Sequence, residues 1–144
     1  MPETGQWRDG VTVARGASLA GIMRDPSGTG RASVFDFSGA GGRRTWIGNV
    51  TVPPLAKSGA HHHGRHEVAI YIVKGRLEIR WGERLEFAAD VDPGDFVYFS
   101  PFVPHQEFNA DERKSVELVA IRSDNETIAV PLDVVPVERP EYLA

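Results

Sequence analysis

The sequence predicts an all-β domain, a sandwich or a closed barrel, on three observations. Gly (15 residues) and Pro (10 residues) are spread between many short apolar runs and are not gathered in one linker. Those runs are strand-like, either alternating or rich in β-branched and aromatic residues. Helical periodicity is almost absent: the best candidate, Ala14–Arg24, is interrupted by Gly16 and Gly21. At 144 residues the chain is one domain's worth, and a domain of this size buries roughly two thirds of its unfolded surface.

Taken in order, Ser33–Phe37 and Thr45–Val52 read as strands. Glu67–Val73 is near-continuously apolar, which predicts burial on both faces or a place in a barrel wall, and Lys74-Gly75 is a tight turn. In Leu77–Trp81 the residues Leu77, Ile79 and Trp81 face one way and Glu78 and Arg80 the other. Leu85–Val91, Phe96–Phe99, His105–Asn109, Val116–Arg122 and Thr127–Val137 follow, with turns at Gly82-Glu83, Asp92-Pro93-Gly94 and Ser123-Asp124-Asn125. Residues 1–30 are expected to be a partly irregular segment, 31–137 the barrel, and 138–144 an extended tail after Pro136. The glycines around Gly28 and Gly39 lack the Lys-Ser/Thr pair and following helix of a phosphate-binding loop.

Composition excludes several functions. There is no cysteine, hence no disulfide, no thiol nucleophile and no cysteine-ligated zinc or iron–sulfur cluster. A net charge of −4 and a pI near 5.7 lack the basic footprint of a nucleic-acid binder. No apolar run approaches the ~20 residues that cross a bilayer. The first residues, Met1-Pro2-Glu3-Thr4-Gly5-Gln6, have no basic or apolar leader character. A cytoplasmic protein without nucleic-acid or membrane partners is expected.

All five histidines lie in two places: His61-His62-His63-Gly64-Arg65-His66, and His105. Folding does not require such clustering. Imidazoles followed by the carboxylate of Glu67 suit one divalent first-row ion: Fe, Mn, Ni, Zn, Co or Cu. In an extended segment residues i and i+2 share a direction, so His61 and His63 can share a target while His62 points elsewhere. A barrel can bring His61, His63, Glu67 and His105 inward together.

These residues make the chain resemble a cupin. The family's first motif is Gly, five residues, His-x-His, three or four residues, Glu, six residues, Gly. Here it is met by His61-His62-His63, Glu67 and Gly75. The second, Gly, five residues, Pro-x-Gly, two residues, His, three residues, Asn, is met from Pro93 to His105 and Asn109. The matching stretch runs from about Lys57 to Asn109. The resemblance implies an antiparallel double-stranded β-helix, or jelly roll, in a single domain, with a metal held by His61, His63, Glu67 and His105.

The chain departs from the motifs at three points. Gly59 is two residues before His61, seven residues separate Glu67 from Gly75, and Ser100 and Phe102 replace Pro and Gly. Counting back from Gly75, the family's glutamate position falls on Val68. Either a bulge returns Glu67 to the interior, or Glu67 points out and His66, which shares strand parity with Val68, is the substitute. The stretch from Thr51-Val52-Pro53-Pro54 through the histidine cluster to Arg80-Trp81-Gly82 and Pro104-His105-Gln106-Glu107 is also similar to small bacterial single-domain cupins, some of which act on thio-sugar phosphates with a cysteine; without cysteine this chain would need an external thiol for that step, so the activity is not carried over.

Three His and a Glu leave positions for water, dioxygen or a bidentate substrate. The expected function is a metal-dependent cupin enzyme acting on a small, polar, oxygen-rich metabolite, first as a dioxygenase-type oxidoreductase. The alternatives are a sugar or sugar-phosphate isomerase or lyase, and a noncatalytic binding protein. Tyr71, Phe96, Tyr98 and Phe108 are the candidate aromatic lining, and Lys57 the candidate anion binder. Arg43-Arg44, Arg80 and Arg122 are further cationic options. Asn109 reads as a turn anchor and Gln106 as outward-facing. A homodimer is expected, paired through edge strands.

Overall fold

The computed structural model describes residue 8 and residues 23–24, 29–35, 44–123 and 128–143. Most of the Ala14–Arg24 helix candidate, the Gly28 and Gly39 loops, Phe37, Arg43, Thr127 and the turn at Asp124-Asn125 lie outside them. The described residues form twelve strands: β1 (Met23–Arg24), β2 (Gly30–Phe35), β3 (Trp46–Val52), β4 (His61–His62), β5 (Val68–Lys74), β6 (Leu77–Trp81), β7 (Phe87–Val91), β8 (Phe96–Phe99), β9 (His105–Phe108), β10 (Val116–Arg122), β11 (Val130–Pro131) and β12 (Glu141–Tyr142). They make two six-stranded sheets, ordered β1-β2-β3-β10-β5-β8 and β11-β4-β9-β6-β7-β12. Sequence neighbours such as β4 and β5 lie in opposite sheets, which is the wrapping of a double-stranded β-helix.

Residues of alternate parity on both inner faces build the core. Val50 and Val52 of β3, Val68, Ile70 and Ile72 of β5, Leu77 and Ile79 of β6, Phe99 of β8, and Val116 and Leu118 of β10 are all buried in one cluster. The tight turn at Lys74-Gly75 follows from two constraints at once. Gly75 has φ of 84°, and a Cβ there would stand 3.0 Å from the Ser115 carbonyl oxygen, so no other residue fits without strain. Asn109 is fully buried and works as the predicted turn anchor. Its amide donates to the carbonyls of Val52, Pro53 and Lys114, and its oxygen accepts from Asp111 N–H.

Three expectations are corrected, and of the two readings of β5 the barrel wall holds: Val68, Ile70 and Ile72 are inside, Ala69 and Tyr71 are half-buried and Val73 is exposed. Apolar residues at both parities gave no alternation to read, and only packing chose the inner set. The strand predicted from Leu85 starts at Phe87, because Leu85 sits at φ 49° in a turn closed by its N–H on the Gly82 carbonyl. The Thr127–Val137 strand is reduced to Val130–Pro131. The pairing is not wholly antiparallel, since β12 runs parallel to β7.

Candidate metal centre

His61 on β4 lies directly opposite His105 on β9, and His105 lies opposite Trp81 on β6. His63 leaves β4 two residues later on the same side. One ring nitrogen of each of His61, His63 and His105 lies within 4.8 Å of the other two. The ring centroids are 4.9 Å (His61–His63), 4.4 Å (His61–His105) and 5.0 Å (His63–His105) apart. Phe99 reaches across from the other sheet, its ring 4.4 Å from that of His105. The cluster therefore sits between the two sheets.

Backbone carbonyls set the protonation of these rings. His61 Nδ1 is 2.8 Å from the Gly59 oxygen, His63 Nδ1 2.8 Å from the Ile128 oxygen, and His105 Nδ1 3.0 Å from the Val103 oxygen. A carbonyl only accepts, so each Nδ1 carries the hydrogen and each Nε2 keeps its lone pair. Fixing imidazoles through the remote nitrogen is how metal-ligating histidines are oriented. His62 has the reverse arrangement, its Nδ1 accepting from Gly64 N–H at 2.9 Å while its ring packs beside Phe102 at 5.6 Å. It closes the turn and leaves the cluster to its neighbours. Gly64 is needed there: φ is 60°, and a Cβ would press on Ile128, whose carbonyl holds His63.

Electrostatics favour the neutral rings. Burial, the largest cause, lowers the pKa of His63 from 6.5 to about 4; the neighbouring His105 and His61 act in the same sense, and the Ile128 carbonyl and the Glu107 carboxylate oppose it. Burial, again the largest cause, and His61 lower His105 to about 4. His105 Nε2 is buried without a hydrogen-bond partner. A buried lone pair left unpaired beside two others is costly unless a cation is shared among them. An ion holding nitrogens at about 2.1 Å draws them to at most roughly 4.2 Å apart, so small ring rotations close this group. The residues fit a divalent first-row ion.

The structure separates the other predicted residues from this cluster. Glu67 is exposed, and no bulge turns it in: its N–H donates to Ser123 Oγ and its carbonyl accepts Ser123 N–H, both at 3.0 Å. Its side chain lies outside beside Tyr98. Tyr71, Phe96 and Tyr98 occupy the outer face of β5 and β8, opposite in parity to the buried Val68, Ile70, Ile72 and Phe99, and Tyr71 packs on Phe96 at 4.7 Å. Phe108 has the parity opposite to His105, and Lys57 lies over its ring at 5.7 Å on the outside. None of the five predicted substrate-binding residues lines the cluster. Gln106 points away as expected, its amide donating to the Ser58 carbonyl. Arg80 is committed to Glu78, Arg122 lies 4.1 Å over Trp46, and Arg44 is exposed.

Sequence reasoning missed Glu107, Phe99 and Trp81. Glu107 pairs with the buried Ile79, so it shares the inner face with His105 two residues away. The signal was present as His-x-Glu at strand spacing. Trp81 had its parity read correctly, but no local feature linked that face to the histidines. The Ile128 carbonyl comes from 65 residues away and has no local signature.

Fold and cluster together define a double-stranded β-helix protein with an interior group of three histidines that could hold a metal ion. The cupin-domain family model matches residues 48–122, more than half the chain, and the protein belongs to that family. Among solved structures, the polyketide cyclase RemF from Streptomyces resistomycificus superposes with a TM-score of 0.72 at 16% identity, covering 90% of this chain and 89% of that one. KdgF from a Halomonas species gives 0.65 at 16% identity (80% and 96% covered), and an RmlC-like cupin from Shewanella frigidimarina 0.63 at 18% identity (77% and 88% covered). Likeness at these identities shows the fold alone. No curated protein matches the sequence.

Proposed function

We propose that the protein is a divalent-metal enzyme that uses Lewis-acid chemistry on a small, oxygen-rich carbonyl or hydroxyl compound, as an isomerase, lyase or cyclase. The observation that carries this reading is the donor set: three imidazoles converge, and the one motif carboxylate, Glu67, faces away. Neutral donors leave a bound ion its full charge, which favours polarising a substrate oxygen. The mixed His–carboxylate triad is the arrangement associated with iron and dioxygen. His61, His63 and His105 would hold the ion, and when bound it supplies that polarisation.

The chain's own residues do the rest. Phe99 packs on the His105 ring, and Trp81 lies opposite His105 in the sheet. Glu107, on the inner face, is the carboxylate placed to take or return a proton. A structural neighbour that is a polyketide cyclase is in keeping with the cyclase option of this reading.

The test is to load metal-free protein with Zn(II) or with Fe(II), and to offer β-dicarbonyl and enediol compounds with and without oxygen. Turnover by the Zn(II) form without oxygen uptake is expected. Turnover confined to the Fe(II) form, with oxygen consumed in step with product, would overturn the reading in favour of a dioxygenase.

A further inference from the structure

The geometry points to His66 as a fourth nitrogen donor of this centre, in the role that Glu67 vacates. The inference rests on the metal-centre reading above and adds one residue to it. His66 precedes β5 with the parity of Val68, Ile70 and Ile72, the residues that fill the interior. It is only 2% exposed, and its Nε2 is buried without a hydrogen-bond partner. Among the described residues, the other histidine nitrogen in that condition is Nε2 of His105, which belongs to the three-imidazole group.

A buried polar atom left alone has a cost that a ligand removes. His66 is also tied to the group through the backbone, its N–H donating to the His63 carbonyl at 3.2 Å. The strand explains why His66 and not Glu67 is available. Ser123 clamps Glu67 on both its N–H and its carbonyl, which locks the outward parity of Glu67 and with it the inward parity of His66. His66 is not among the three residues whose nitrogens lie within 4.8 Å of one another, so joining them requires its ring to turn within the loop before β5.

The experiment uses the full chain, labelled with 15N-histidine and loaded with 113Cd(II), together with Zn(II) competition titrations of wild type, His66→Gln and Glu67→Gln. Cadmium coupling to the Nε2 of four imidazoles, His66 among them, is the expected result. His66→Gln should weaken Zn(II) at least tenfold, because losing even a partner of a ligand costs about 10–100-fold, and Glu67→Gln should bind as wild type does. Coupling to His61, His63 and His105 alone, or Zn(II) affinity lost in Glu67→Gln and kept in His66→Gln, would overturn the assignment. Should His66→Gln fail to fold, the cadmium spectrum of the wild type decides. Wild-type protein that takes up neither metal refutes the metal centre itself, an outcome distinct from three-histidine coupling.

Discussion

The two faces of the β6–β9 pair carry polar clusters of opposite character. On the outer face Glu78 accepts from Arg80 Nε and from the Tyr142 hydroxyl at 3.0 Å, so a mostly covered carboxylate is matched by a cation and a donor. On the inner face three imidazoles each satisfy one nitrogen on a carbonyl and turn the other toward its fellows, with no donor among them. The outer cluster is complete as it stands and fastens the C-terminal strand β12 to the barrel. The inner cluster leaves the Nε2 of His105 buried without a partner among the described residues. Burial and charge alone would not distinguish them; counting the lone pairs does.

The largest effect that would break this contrast is on metal affinity. His63→Ala should lose Zn(II) by well over the roughly 10–100-fold expected for an outer-shell change, while Glu78→Gln should leave it unaltered in the same competition titration. Equal losses would mean that the two clusters are not different in kind.

The next effect is on the pH dependence of the metal-free protein. His63 and His105 titrate near 4 when folded and near 6.5 when unfolded. Between those values the unfolded chain binds more protons, so stability is full above about pH 6.5 and falls as the pH drops toward 4. Urea midpoints measured across that range should decline, with a shallower slope in His63→Asn. An identical slope in the variant would remove His63 from the account. Zn(II) should offset the decline at the upper end of the range and release as protons compete for the imidazoles.

Two smaller changes sharpen the comparison. Phe102 sits at φ 62° beside His62, outside the three-imidazole group. Phe102→Gly should raise stability by up to about 1 kcal/mol through relief of the left-handed backbone and leave Zn(II) affinity unchanged. A drop in affinity would extend the centre to the His62 side. Tyr142→Phe removes an exposed hydroxyl from Glu78 and should cost less than about 1 kcal/mol, seen as a small fall in melting temperature. A loss of several kcal/mol would make the outer cluster the main fastening of the chain end.

Much of this was legible in the residues. Leu77, Ile79 and Trp81 alternate with Glu78 and Arg80, and the structure keeps that division. The spacing of His61, His63 and His105 announced convergence because strand parity and the two motifs agreed. Glu67 was ambiguous for a physical reason: the following run is apolar at both parities, so the side to be buried cannot be read from the order of residues. The aromatic lining failed on the same ground. Tyr71, Phe96 and Tyr98 are as apolar as the core residues beside them, and their type says nothing about which way they point.

The sequence by itself determined that the chain is built of short strands and that imidazoles from two distant stretches share one interior location, because side-chain direction alternates along a strand and turns are punctuated by Gly and Pro. Only the tertiary structure decided which face of β5 is buried, that Ser123 holds Glu67 outside, and that the Ile128 carbonyl reaches His63. These depend on contacts between residues far apart in the chain, which local order does not encode.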